Sequence, residues 1–375
     1  MKYFYLLIFV ISLLSKSLLH AKELYQQGLS ARYWGMGGTS VAFARGVDAL
    51  YLNPAALAKT DGIVLNFVNF SASLSTNSIS LKDKLSVTNG SGSISLSDLN
   101  SLYGENIFLD VTAYGGVAIP YFAVGAYSNN TTLQSFSNPS NPTYNVNLIS
   151  DYGYAIGGAF KLTDEISFGL TGRSLKRWSG DLTMPATDLV GSNTQSVLEA
   201  ALSDKGSGNA LDLGFLASFQ RSGWNNEIGL AWHDVGMTKF NPTSGKGPER
   251  QDDNLIFGYA AQKEFGFISW LSSIEYKFIR NDGDISKKID LGTELSLGIF
   301  DVRAGYYQGY LSYGGTVDFS FIRIDAASYT GELGTSAGQT ANPRYVVSLS
   351  LMLDMDKSFK IQAADGKRRR LNQRR

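Results

Sequence analysis

The chain has 375 residues, 33 basic and 33 acidic, so its formal net charge is zero, and it has no cysteine. That excludes disulfides, thiolate metal sites and a cysteine nucleophile; with only His20 and His233, a Ser-His-Asp triad or a zinc site is also hard to assemble. Gly (40), Tyr (20) and Phe (21) are abundant, and past the N-terminus no apolar run is long enough to cross a bilayer as a helix, which leaves a secreted β-protein or a membrane β-barrel.

Residues 1–21 read as a secretory signal peptide, with Lys2 at its start, an apolar core over 3–14 and Leu19-His20-Ala21 as the cleavage site. The competing reading, a membrane anchor, needs about 20 apolar residues, and Lys16 interrupts the run. Residues 22–62 come next. Their centre, GLSARYWGMGGTSVAFARGVDALYLNPAALA, is too apolar for a tail and too short and Gly-rich for a domain. We read it as a plug inside the strands that follow. Its Gly35, Gly37 and Gly38 invite a phosphate-loop reading, but no buried strand precedes them and no long helix follows. Glycines that let a plug backbone lie close to a wall fit better.

From residue 63 onward, period-two alternation recurs. Leu211, Leu213, Phe215 and Ala217 alternate with Asp212, Gly214, Leu216 and Ser218; Leu291, Thr293, Leu295 and Leu297 alternate with Asp290, Gly292, Glu294 and Ser296. Fourteen strands follow, at 63–75, 107–118, 121–128, 146–160, 166–177, 209–220, 226–238, 254–265, 269–280, 287–298, 301–308, 313–321, 323–330 and 343–353. A soluble sandwich gives the same alternation with its apolar face inward. Loop lengths favour a barrel: 76–106, 129–145, 178–208, 239–253 and 331–342 are long and alternate with tight turns, the pattern of an outer-membrane barrel. Both termini then lie with the short turns, in the periplasm. The loops at 96–103 and 196–202 carry helix-forming sequences. The expected fold is all-β: a 14-stranded antiparallel transmembrane barrel over 63–354 with an N-terminal hatch in its lumen.

Register then sends Asp110, Arg173, Glu275, Lys277, Asp290, Glu294, Arg303, Asp318, Arg323, Asp325 and Arg344 into the lumen, as a cross-strand charge network that can reach Arg32, Arg45 or Asp48 of the plug. Aromatics near strand ends, among them Tyr121, Tyr127, Tyr152, Trp178, Trp224, Trp232, Trp270 and Tyr329, are expected to form interfacial girdles. His233-Asp234 is a candidate proton-transfer pair, the basis of an alternative reading as an outer-membrane lipid hydrolase. No catalytic residue, metal or cofactor is assigned. The tail 355–375 carries eight Lys and Arg against two Asp; in the periplasm it is a solvated segment, or it meets anionic lipid or an acidic partner, and nucleic acid is not expected.

The segment GLSARYWGMGGTSVAFARGVDALYLNPAAL, together with VRAGYYQGYLSYG, IRIDAASYTGELG and YVVSLSLML, resembles the long-chain fatty acid transporter family, the FadL/TodX-like outer-membrane proteins, and the related PorV-type proteins. The resemblance implies a monomeric barrel, placed by the assembly machinery and surrounded by membrane lipid, that passes hydrophobic small molecules. By it Gly35, Gly37, Gly38, Asn53, Pro54 and Ala55 belong to the hatch. A lateral opening is expected at a kink beside the third strand, at Tyr121, Ser128, Asn129 and Asn130. A PorV-like role as a scaffold for secreted cargo is the alternative the same resemblance leaves open. The residues that follow Leu353 depart from the family's terminal aromatic.

Overall fold

The computed structural model describes residues 23–24, 26, 28–78, 103–137, 143–185 and 203–355. The signal peptide, the two loop helices apart from Tyr103, and the basic tail beyond Met355 lie outside them.

Among these residues there are fifteen strands in one antiparallel sheet: β1 Ile63–Ser75, β2 Asn106–Ile119, β3 Phe122–Ser137, β4 Thr143–Lys161, β5 Ile166–Pro185, β6 Asp204–Arg221, β7 Trp224–His233, β8 Phe240–Ser244, β9 Asn254–Phe265, β10 Ile268–Tyr276, β11 Ile289–Leu297, β12 Phe300–Tyr307, β13 Tyr310–Asp318, β14 Ile322–Glu332 and β15 Ala341–Met355. β1 pairs with both β2 and β15, β5 pairs with β6, and β7 pairs with β9, so fourteen strands close into a ring. β8 is the exception. It falls within the expected 239–253 loop and pairs with β6 at Lys205–Gly208, above the point where β7 stops. Closure satisfies every edge, which is what a bilayer demands of a sheet.

Period-two patterning sorts the two faces. Leu211, Leu213, Leu291, Leu295, Val347 and Leu349 are exposed on the outside, while Asp212, Asp290, Glu294, Val346 and Ser348 are buried on the inside. A continuous belt of exposed Leu, Val, Ile and Phe is far larger than a water-facing surface tolerates, and is what lipid requires.

The β2–β3, β4–β5, β6–β7, β9–β10, β11–β12 and β13–β14 connections are short, and all lie at the end where Ile63 pairs with Met355. Five of them turn through left-handed residues, Tyr121, Ser222-Gly223, Gly266, Gly298 and Ser320. The ring is uneven in height. β3, β4, β5 and β6 have 16, 19, 20 and 18 residues, whereas β10 to β13 have 8 or 9. At about 3.3 Å per residue, one side of the wall stands about twice as tall as the other.

Two expectations are corrected. The third strand does not end at Ser128 but runs to Ser137, because polar 129–137 finds a full ladder on β2 and β4. The N-terminal end of the described chain is not at the short-turn end. Glu23 reaches Arg344, near the start of β15 at the opposite end, at 2.7 Å. The chain then passes through the ring to enter β1 at Ile63.

That passage, residues 28–60, comprises a short helix α1 Ala31–Gly35, a helix α2 Val47–Leu52, and a 3-10 turn Pro54–Lys59. It touches inward-facing side chains on opposite sides of the ring, Ser348 on β15, Glu294 on β11 and Thr171 on β5, and the backbone carbonyl of Phe215 on β6. Residues 29–44 are all buried.

Candidate functional site: a filled lumen behind a grooved wall

The first half of the inner segment docks by charge. Arg32 donates to both oxygens of Glu294, at 3.1 and 3.2 Å. Glu294 also holds Arg303, its cross-strand neighbour on β12, at 2.5 Å. Arg303 continues to Asp301 at 3.3 Å and Asp325 at 3.2 Å, and Arg323 adds a contact to Asp325 at 2.9 Å. A second group centres on Lys277, which lies 3.2 Å from Asp290 and 3.7 Å from Glu275 and donates to the Gly38 carbonyl. Glu275 accepts the Ser40 and Val41 amides at 2.5 Å. Buried charges persist only when paired and hydrogen-bonded, and these are. Asp318 borders the first group, where its charge acts on Arg323. Arg344 stands apart at the long-loop end, paired with Glu23 and 3.4 Å above the Phe108 ring.

Close backbone approach joins this half to the wall as well. At Gly37, with φ of 66°, a Cβ would overlap the Leu291 and Tyr306 carbonyls. Gly35 faces Gly314, and Gly38 packs on Tyr307. Trp34 stacks on Tyr329 at 4.2 Å and meets Tyr307 edge-on at 5.2 Å. Tyr329 and Tyr127 are therefore lumen residues, not girdle residues; their positions are in phase with Ala327 and Ala123, both inward.

The second half docks by shape. Asn53 is fully buried; its side chain accepts from the Ala55 amide at 3.2 Å and donates to the carbonyls of Val41 (2.8 Å) and Phe215 (3.2 Å). Pro54 and Ala55 lie directly on Gly169 and Gly214 of the wall, where any side chain would overlap them. Leu50 and Tyr51 lie against Gly125 in the same way. Apolar partners complete the contact: Ala118, Ala123, Ala155, Ala210 and Leu216 pack with Leu50, Ala56 and Leu57. The polar groups here are Asp48, which accepts from Tyr33 at 2.6 Å and Tyr114 at 2.7 Å, and Arg45, 2.5 Å from Glu227. Burial pushes the Tyr33 phenol well up, so it stays protonated and donates. Tyr51, also pushed up by burial, donates to the Ala126 carbonyl at 3.2 Å and packs edge-on against Tyr114 and Tyr127.

On the outside of this same stretch of wall is a groove of about 800 Å³. Val117, Val124, Tyr154 and Ile156 stand along it, and the backbone of Gly116, Gly125 and Ala155 floors it. It exists because outward positions that would fill it hold small residues, Gly115, Ala126 and Gly172; a Cβ on Gly172 would meet nothing within 4 Å. Beside it β1 carries a bulge between Asn66 and Val68, with Phe67 exposed toward the outside. Between groove and α2 there is only one layer of backbone.

The four residues expected at a lateral opening flank this groove. Tyr121 sits in the turn before β3, its amide donating to Leu57 at 3.2 Å. Asn129 lies beside Gly28, while Ser128 and Asn130 bond to each other and Asn130 accepts from Ser150 at 2.6 Å. The ladders on both sides of them are unbroken, so the wall has no gap there.

His233 and Asp234 share their site with Asp212 and Arg173. Arg173 lies 2.7 Å from Asp212 and 2.9 Å from Asp234, and His233 is 3.8 Å from Asp212. A guanidinium between two carboxylates makes this a structural ion cluster. Among the described residues no group of His, Asp and Glu has the arrangement of a metal site. Sequence reading missed Asp212, Asp301, Glu227 and the Asp151–Arg177 pair at 2.6 Å; each is in phase with an inward neighbour, so strand parity was the signal.

No family model matches the sequence, and no curated protein matches it. Among solved structures, the TodX deltaS2S3 mutant monoaromatic hydrocarbon channel aligns with 87% of this chain and 98% of its own, at 14% identity and a TM-score of 0.51. The CymD monoaromatic hydrocarbon channel aligns with 88% of this chain and 98% of its own, at 12% identity and the same score. With a closed fourteen-strand ring, the chain has the fold of the TodX and CymD monoaromatic hydrocarbon channels.

Proposed function

We propose that this protein lies in the outer membrane, with its long loops outward, and passes hydrophobic small molecules without a chemical step. Residues 28–60 act as the hatch. Solute enters from the long-loop end, displaces α2 from the wall, and leaves sideways into lipid across β2–β6. The likeness to channels described as conducting monoaromatic hydrocarbons supports the substrate class. The observation that carries the proposal is the back-to-back arrangement of α2 and the outer groove at Gly125 and Ala126, where small residues leave the outer face of the wall unfilled. A greasy solute gains little by crossing into the periplasm and much by entering hydrocarbon directly.

Solute uptake into proteoliposomes tests the reading. Gly172→Trp fills the groove from the lipid side in open space and is expected to cut uptake several-fold while the barrel stays folded. Uptake equal to wild type would place the exit elsewhere.

A further inference from the structure

We propose that the upper lip of the groove binds one phosphate-bearing, acylated lipid of the outer leaflet, its acyl chain in the groove and its phosphate on Lys176 and Lys205. On β5 the outward residues above Gly172 are Ser174, Lys176 and Trp178; opposite the last three of these on β6 stand Asn209, Ser207 and Lys205. On β4, Tyr154 opposes Ser174, and Tyr152 opposes Lys176. Gly172, Tyr154, Ser174 and Asn209 line the groove. Successive outward residues on a strand are about 7 Å apart, so the lysines stand one and two steps above it.

The lip is built as a cation-aromatic cluster. Tyr152 and Trp178 meet edge-on at 5.9 Å, Lys176 lies 6.0 Å from the Tyr152 ring, and Lys205 lies 4.6 Å from Trp178. Aromatic rings at this level mark the boundary between hydrocarbon and headgroups. Ser128, Asn130 and Ser150 face outward beside it and add polar groups. Among the described residues neither lysine makes an ion pair. The comparable cation at this end of the barrel, Arg280 over Trp232 at 5.2 Å, is neutralised by Asp253 at 2.9 Å. Lys161 over Tyr121 and Lys263 over Trp224 belong to the short-turn end. Two unpaired positive charges directly above an apolar slot match an anionic headgroup above an acyl chain.

The inference rests on the proposed function only for the direction the long loops face. The test is retention of bisphosphorylated lipid A by the full-length protein, counted by native mass spectrometry after reconstitution in phosphatidylcholine vesicles containing it. Wild type and Lys263→Gln are expected to retain one molecule. The double variant Lys176→Gln/Lys205→Gln is expected to lose retention by at least about tenfold, and a phosphate-free analogue should not be retained. Equal retention by the double variant, or by the phosphate-free analogue, would overturn the site. Lipid A occupies both leaflets of these vesicles, so retention reads the site alone. Orientation is read separately, by protease cleavage of the loops on whole cells, and solute uptake can be lost while retention persists.

Discussion

The two halves of the inner segment meet the wall by opposite means. Residues 31–41 face β10 to β15, where Arg32 joins Glu294, Arg303 and Asp325 in one ion-paired group and Lys277 and Glu275 form another. Residues 47–58 face β2 to β6, where the partners are Gly125, Gly169, Gly214, alanines and a few tyrosines. Separating the first half strands buried charges, each costly unless water replaces its partner. Separating the second half exposes apolar surface, which a hydrophobic solute would cover again. In the proposed function anchoring falls to the charged half and movement to the apolar one, and the outer groove lies behind the apolar half.

The largest expected effect breaks the anchor. Glu294→Ala leaves Arg32 without its carboxylate partner and takes one of three from Arg303. We expect a loss of about 3–5 kcal/mol in folding free energy, the usual cost of breaking a buried pair from one side. Unfolding of the reconstituted barrel in urea measures it. Adding Arg32→Met should recover part of the loss, since the stranded charge is then gone. If the double variant is no more stable than Glu294→Ala, the ion pair is not what holds α1.

Asn53 sits between the halves and sharpens the comparison, since it ties the Val41 carbonyl of one to the β6 wall that holds the other. Asn53→Ala removes one accepted and two donated hydrogen bonds, about 2–3 kcal/mol together. Asn53→Asp keeps the shape but turns a carboxylate toward two carbonyl oxygens, so it should be the less stable of the two. The same urea midpoints decide the order. A stability of Asn53→Asp above Asn53→Ala would contradict the assigned amide orientation.

Gly125→Val acts on the movable half. Its side chain would overlap Tyr51, Leu50 and the Gly115 carbonyl of β2, pushing α2 inward and straining the β2–β3 wall without touching an ion pair. We expect uptake of a hydrophobic solute to rise, with a stability loss of about 1–3 kcal/mol typical of overpacking. Reduced uptake in a folded variant would show that α2 does not govern passage.

Much of this architecture was legible in the sequence. Strand β1 and strand β9 stand where alternation placed them, because an apolar outside and a small or polar inside is a demand lipid makes of every turn of the chain. The long β3 was not legible: Asn129 and Asn130 are poor strand formers, 129–132 have no apolar phase, and it is the ladders to β2 and β4 that hold them extended. Tyr127 and Tyr329 were misplaced because an aromatic near a strand end fits a girdle as readily as a lumen; parity with Ala123 and Ala327 decides it. The direction of the inner segment had no signal at all, since the pairing of Glu23 with Arg344 joins residues at opposite ends of the chain. Of the candidate site, Gly35, Gly37 and Gly38 were expected against the wall from their glycine content, and Asn53, Pro54 and Ala55 were placed in the inner segment by the resemblance. The groove was not, because it is made by what Gly115, Ala126 and Gly172 lack.

The smallest expected effect is the most specific to the movable half. Tyr51→Phe removes a single hydrogen bond to the Ala126 carbonyl and leaves the ring against Tyr114 and Tyr127. The carbonyl belongs to β3 and is already engaged in its ladder, so nothing buried is orphaned, and the stability change should stay within about 1 kcal/mol. Passage is affected differently. The hydroxyl is one of the few polar ties between α2 and the thin wall, and losing it lowers the barrier to displacement while the charged anchor is intact. Uptake should therefore rise by up to about fivefold, with the urea midpoint almost unmoved. Glu294→Ala should show the reverse proportion, a large shift in midpoint for each fold of uptake. If the two variants change uptake and stability in the same ratio, the halves loosen together and the division of labour between anchor and mover fails.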